Sequence, residues 1–230
     1  MLTLRFQKRT YIGIALLFVS LAVLSWSAWS FQRVIKFSDV AAASQVFDSG
    51  ELAPGLAYDI AELMNHLNIK IEAPGYFRVG DSEILRVNLE EDTPLPTGNL
   101  YQMNNVLVEA RFEINGLDIV PAGEIYEPLQ PGKSAVFFWS LRSLKAAEHQ
   151  GMIWLHLRLI PLDGSPERRY PVSAQIVRFR SADLFGLSGR MARVTGGVGF
   201  VVGAVLALEA CLPWLERKLH RFEQTENEGV

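Results

Sequence analysis

Hydrophobic and polar positions divide this chain into three regimes. Tyr11 to Phe31 is an uncharged run of 21 residues, and a helix of that length spans roughly 30 Å of hydrocarbon. A second apolar run, from Val194 to Leu208, follows Arg190 and Arg193 and reaches Leu215 with Glu209 as its only charge. Between the two the period shortens to two, which is the signature of half-buried strands.

The clearest strand is Asn105 to Ile114, where Val106, Val108, Ala110, Phe112 and Ile114 alternate with Leu107, Glu109, Arg111 and Glu113. Ser82 to Glu90 and Met152 to Ile160 repeat the pattern. Leu117 to Val120, Ser134 to Leu141 and Pro171 to Arg180 add shorter runs. Asn115-Gly116, Pro121-Ala122-Gly123, Pro131-Gly132 and Asp163-Gly164 punctuate them with residues suited to turns. Strands recurring at this spacing with no long helix among them predict a mainly β fold: one antiparallel sandwich of about seven strands, immunoglobulin-like in architecture. Two short helices precede it. One is expected over Asp39 to Phe47 after a Ser38 cap, the other on the stripe Leu56, Ile60, Leu63 and Leu67.

These patterns set the expected domain order: a cytoplasmic N-terminus over 1–10, a first transmembrane helix over 11–31, and a membrane-proximal helical segment over 32–67. The sandwich follows over 68–184, then a juxtamembrane linker over 185–193, a second transmembrane helix over 194–215 and a cytoplasmic tail over 216–230. Arg5, Lys8 and Arg9 precede the first helix, and Arg217, Lys218 and Arg221 follow the second. The positive-inside rule therefore puts both ends in the cytoplasm and the middle domain outside a plasma or cytoplasmic membrane. Arg33, Lys36, Arg190 and Arg193 on the outer flanks oppose that assignment, but long translocated domains are largely exempt from the rule. The first apolar core is longer than that of a cleaved signal peptide, so an uncleaved signal anchor is the reading adopted.

Composition narrows the chemistry. Residues 32–193 hold 16 Lys or Arg against 20 Asp or Glu, a mildly acidic balance without the dense positive face that nucleic acid requires. Cys211 is the only cysteine, which excludes an intramolecular disulfide and a CxxC metal knuckle. His66, His149, His156 and His220 form no metal-ligand spacing. No phosphate loop, GxSxG or SxxK element occurs, so no catalytic, cofactor-binding or metal residue is assigned. Glu90-Glu91-Asp92, and Glu124 with Glu127 in a loop beside Tyr126, are read as solvated acidic runs rather than calcium ligands. Glu167-Arg168-Arg169-Tyr170 reads as a polar hairpin tip. Trp139 and Trp154 read as core or sheet-surface aromatics rather than ligand stackers.

The candidate functional residues lie in the second helix. Gly199, Gly203, Ala207 and Cys211 recur every fourth position and line one face, a pattern that lets helix backbones approach closely. That face suits packing against the first helix, self-association, or a partner's helix. Glu209 beside it is an intramembrane polar residue suited to pairing with an inner-flank base such as Arg217. The resulting expectation is a noncatalytic, membrane-anchored protein whose extracytoplasmic domain is a protein-interaction module, an accessory or assembly subunit of a membrane complex. Its partners are the bilayer and a membrane protein or a second copy; a small-molecule ligand stays open. The alternative is an extracytoplasmic ligand-binding or sensor module signalling through its two helices to a cytoplasmic partner. An enzyme of unfamiliar type is a third reading.

Overall fold

The computed structural model describes the backbone of residues 2–29, 31–37, 54–91 and 100–227, with side chains over 11–29, 58–91 and 100–208. Two compact units emerge: a helical one from residues 1–29 with 184–230, and a β unit over 30–183.

The helical unit pairs α1 (Leu2–Ala28) with the last helix of the chain (Gly189–Asn227). Neither keeps its expected limits, and α1 stops at Ala28, short of Phe31. The N-terminal residues assigned to a cytoplasmic segment continue α1, and the final helix starts five residues before Val194 and runs through Pro213 into the expected tail. Ser188 sets that early start, because its Oγ accepts the N–H of Met191 at 3.4 Å and caps the helix. Tyr11–Ala28 and Gly189–Leu208 are each long and apolar enough to cross a bilayer.

The β unit opens with β1 (Phe31–Phe37), in a stretch read from sequence as helical. Val34 and Ile35 are β-branched, and the strand pairs antiparallel with β2 (Leu67–Arg78) from Phe31↔Tyr76 to Phe37↔Ile69. The expected helix over 39–47 lies outside the described residues. Helix α2 (Pro54–His66) follows, and its Ile60, Leu63 and Met64 are buried in the β core.

After β2 come β3 (Ser82–Glu91), the single turn α3 (Leu100–Met103), β4 (Asn104–Ile114), β5 (Leu117–Val120), β6 (Glu124–Pro128), β7 (Ala135–Ser143), β8 (Ala147–Pro161) and β9 (Arg168–Ala182). The final helix is α4. Nine strands form among the described residues, not about seven. Six of them answer to the runs named above; the others are β1, β2 and β6, the last read as a loop because its two glutamates masked the alternation that pairs it with β4.

Hydrogen bonding runs β5-β7-β3-β2-β9-β8-β4-β6, with β1 on β2. This eight-strand path is one curled sheet. β2 makes the turn: residues 67–72 pair antiparallel with β3, whereas Phe77 and Arg78 pair with Ser181 and Ala182 of β9. That last contact is parallel, so the sheet is not wholly antiparallel as expected. Inward side chains from both halves of the path meet, with the Phe112 ring of β4 edge-on to Trp139 of β7 at 5.9 Å. Trp139 is fully buried, and Phe137 stacks on it. The period-two runs on β3, β4, β7 and β8 supply most of this core, as alternation requires when one face is apolar.

Candidate functional site: helix seam, outer-face charge network and open strand edge

In the helical unit, α1 and α4 run antiparallel. A Cβ built on Gly203 would lie 3.0 Å from the backbone N of Leu17 and 3.1 Å from the carbonyl O of Gly13. One on Gly199 would lie 2.5 Å from Ser20 Oγ, and one on Gly13 would lie 3.0 Å from the backbone N of Ala207. Gly199, Gly203 and Ala207 therefore sit against α1 of the same chain. The side chains of Cys211 and Glu209 lie outside the described residues. On α1 the matching small residues are Gly13, Ser20 and Ser27, all buried and seven apart. Ser27 Oγ donates to the Leu24 carbonyl at 2.8 Å, which satisfies a hydroxyl that lipid could not. Large apolar side chains face outward instead, including Tyr11, Phe18, Val198, Val201 and Leu208.

In the β unit, the outer face of β6-β4-β8-β9 carries a charge network centred on Glu109. Register places Glu109 between Tyr126 of β6 and His156 of β8, while Arg158 of β8 lies opposite Arg169 of β9. Glu109 points outward and is nonetheless buried, because its neighbours' long side chains close over it. Arg169 Nη2 donates to Glu109 Oε1, and Arg158 Nη1 stands 3.8 Å from Oε2. Arg158 Nε also donates to Glu167, and its guanidinium lies over the Tyr126 ring at 4.7 Å. Tyr126 Oη donates to Glu124 at 2.6 Å, and that hydrogen bond holds the Glu124 carboxyl below its usual range and the Tyr126 phenol above its own. The Arg158 contact likewise lowers Glu167.

These contacts revise three expectations. Glu124 and Glu167 are anchored in the network, Arg169 belongs to a strand rather than a hairpin tip, and Tyr170 is in the core. Glu91 is buried too, and its Oε2 accepts the N–H of Gly132 at 3.2 Å; Asp92 lies outside the described residues. Among the described residues no cluster of three or more His, Cys, Asp or Glu is placed to hold a metal ion.

His156 makes the network sensitive to pH. Burial foremost, and the Arg169 guanidinium next, hold its imidazole below the ordinary value of 6.5. Its Nδ1 lies 3.3 Å from Arg169 Nη2, where a neutral ring accepts and a protonated one would repel. The folded state thus resists a proton that the unfolded chain accepts near pH 6.5, so this contribution to stability is complete above that pH and falls as pH drops toward the lowered folded-state value. Denaturant midpoints are expected to decline between about pH 7 and pH 5.5, before the carboxylates titrate, and His156→Gln should flatten that slope. An unchanged slope would assign the pH response elsewhere.

A second buried polar node joins β7, β8 and β9. His149 Nε2 lies 3.1 Å from Ser181 Oγ and 3.3 Å from Ser143 Oγ, and Nδ1 lies 3.3 Å from the Asn115 carbonyl. A carbonyl only accepts, so Nδ1 carries the proton and Nε2 receives a hydroxyl. Both serines are buried within reach of the Lys145 carbonyl, at 2.6 and 2.8 Å, so one hydroxyl donates to Nε2 and the other to that carbonyl. The node ties the β7–β8 turn to β9 and sits close to Gly116, whose φ of 80° favours glycine and where a Cβ would lie 3.2 Å from His149 Nδ1.

β9 presents an open edge. It pairs with β8 along its length, but on its other side only Ser181 and Ala182 meet β2 among the described residues. Where the strands part, a groove of about 490 Å³ is lined by Gly75, Glu148, His149, Gln150, Arg178, Phe179 and Arg180. β9 carries four arginines and no acidic residue. Arg178 and Arg180 make no ion pair among the described residues.

In the sequence Glu109 and Arg158 stand at polar strand positions and Arg169 in an expected hairpin tip, with nothing local to join them. The available signal was opposite charge on outward positions of successive strands, which becomes a contact only when the register is known.

No protein-family description and no curated protein matches this chain. Among solved structures, the native conformation of alpha-2-macroglobulin from E. coli is similar at 15% identity and a TM-score of 0.35, over 51% of this chain and 7% of that one. A chain of the complex between Zinc 2-glycoprotein and Prolactin inducible protein from human seminal plasma is similar at 13% identity and a TM-score of 0.34, over 50% of this chain and 93% of that one. The PapD-like domain 7 of human CEP192 is similar at 8% identity and a TM-score of 0.31, over 52% and 87%.

Proposed function

We propose that this chain is a two-pass membrane protein whose extracytoplasmic β-sandwich docks onto another protein, as an accessory or assembly subunit of a membrane complex. The observation that carries the reading is the α1–α4 seam. Helices that turn their small residues toward each other leave their large apolar side chains outward, an arrangement water penalises and lipid accepts. With the small-residue stripe occupied inside the chain, a partner is met by the β unit. The β9 edge before Ser181, without a strand partner on that side among the described residues, offers backbone groups for an added strand, and Arg178 and Arg180 favour acidic side chains on that strand.

The test is purification after gentle solubilisation, comparing the parent with the double variant Arg178→Glu, Arg180→Glu. A stoichiometric partner should accompany the parent and be lost from the variant, while circular dichroism shows both folded. A parent that purifies only as a lone monomer would overturn the reading.

A further inference from the structure

Between the β unit's last strand and α4 the chain makes a two-residue turn with one unusual occupant. Leu184 and Leu187 exchange both backbone hydrogen bonds, at 3.1 and 3.0 Å, and the central residues Phe185 and Gly186 have φ of 53° and 81°. Positive φ at both central positions defines a type I′ turn, in which Asn, Asp and Gly are favoured because a Cβ is strained there. Phe185 is the one non-glycine with positive φ among the described residues. Its side chain is 97% exposed, more than any other large apolar side chain described. A left-handed aromatic residue is strained, and an exposed ring adds a hydration penalty. Asparagine would avoid both costs in water.

The surroundings remove the second cost. The turn belongs to the helical unit and precedes the first turn of α4, where Met191 is exposed. Because Gly196 faces Val23 and Leu24, that end of α4 lies beside the C-terminal end of α1, which carries the exposed Trp29. Exposed Arg190 and Arg193 flank Met191 there, so the end of the outward apolar surface is marked by bases suited to headgroups, with the turn just beyond them. The two hydrogen bonds fix the backbone of the turn from which the exposed ring projects.

We infer that Phe185 inserts at the boundary between headgroups and acyl chains of the extracytoplasmic leaflet, a one-residue lipid anchor that fixes the depth of the helix pair. The partner is a lipid surface, and the inference rests on the reading that α1 and α4 span the membrane. Aromatic rings favour this layer, and burial of the ring offsets its hydration penalty while leaving the turn's backbone strain in place.

Because Cys211 is the only cysteine, Cys211→Ala gives a clean background for site-specific labelling. In that background, Phe185→Cys, Val201→Cys and Ile84→Cys each carry a nitrobenzoxadiazole label, and the full chain is reconstituted in phosphatidylcholine vesicles containing brominated lipid. The label at 185 should emit to the blue of the label at 84 and be quenched several-fold more, by bromines near the headgroup in preference to those at the chain end. The label at 201 should be quenched most by deep bromines. Quenching at 201 with none at 185 would overturn the anchor and leave the spanning reading intact. Quenching at neither would overturn both. Near-UV circular dichroism of each variant guards against misfolding at a label site.

Discussion

Leucine at Gly203 is expected to separate α1 from α4. A Cβ at that position already lies 3.0 Å from the backbone N of Leu17 and 3.1 Å from the carbonyl O of Gly13, and backbone atoms cannot rotate aside. Overpacking a close seam typically costs about 1 to 3 kcal/mol, and here a whole isobutyl group must be accommodated between two backbones. Gly199→Leu should act in the same direction with more relief, since its nearest obstacle is the Ser20 hydroxyl, which has other rotamers. Insertion should survive both changes, because leucine raises the apolarity of the span. The measurement is oxidative crosslinking of a Val23→Cys, Gly196→Cys pair in the Cys211→Ala background, chosen because a Cβ at Gly196 would lie 3.2 Å from Val23 Cγ1. Near-complete crosslinking in the parent should fall to background with Gly203→Leu. Unchanged crosslinking would mean that small residues are not what holds the helices together.

Arg169→Met is the second change with a large expected effect. It removes the donor to a carboxylate that is almost wholly out of water and leaves Glu109 with Arg158 at 3.8 Å and His156 at 3.9 Å. Removing one partner of a buried ion pair costs about 3 to 5 kcal/mol, and the partial exposure of Arg169 brings the expectation here to about 2 to 3. Denaturant unfolding followed by tryptophan fluorescence reads it as a lowered midpoint. Adding Glu109→Leu should restore much of the loss, since an apolar pair of similar volume needs no charge compensation. Arg178→Met, on the same strand without an ion pair among the described residues, should stay within about 0.5 kcal/mol of the parent. A double variant as weak as the single one would show that packing by the Arg169 stem matters more than its charge.

The sequence was most readable where one periodicity acted alone. Period-two runs on β3, β4, β7 and β8 identified inward residues such as Leu85, Val108 and Leu157 correctly, because a sheet with one apolar face has a single consistent register. The fourfold spacing of Gly199, Gly203 and Ala207 exposed one side of the helix seam. On α1 the small residues Ser20, Ala22, Ser25, Ser27 and Ala28 show no regular spacing as a set, and only burial separates Ser20 and Ser27, together with Gly13, from the exposed Ala22, Ser25 and Ala28. β6 was missed for a different reason. It is an edge strand with Glu124 and Glu127 among its five residues, and its strand character comes from the neighbour it pairs with rather than from its own pattern. The Glu109 network depends on tertiary register altogether, which local periodicity does not encode.

The partner exchange along β2 bears on how the whole chain assembles. Phe31 lies opposite Tyr76 and Ser181 opposite Phe77, so the chain comes into the β unit and leaves it beside two consecutive residues of one strand. Before that unit folds, α1 and α4 are the ends of a loop of over 150 residues; afterwards the tether between them behaves like one of about ten, a shortening worth about 2 kcal/mol of loop-closure entropy. The folded β unit thus acts as an intramolecular clasp, raising the effective concentration of one helix for the other, and a β unit that fails to close should weaken helix pairing with every seam residue intact.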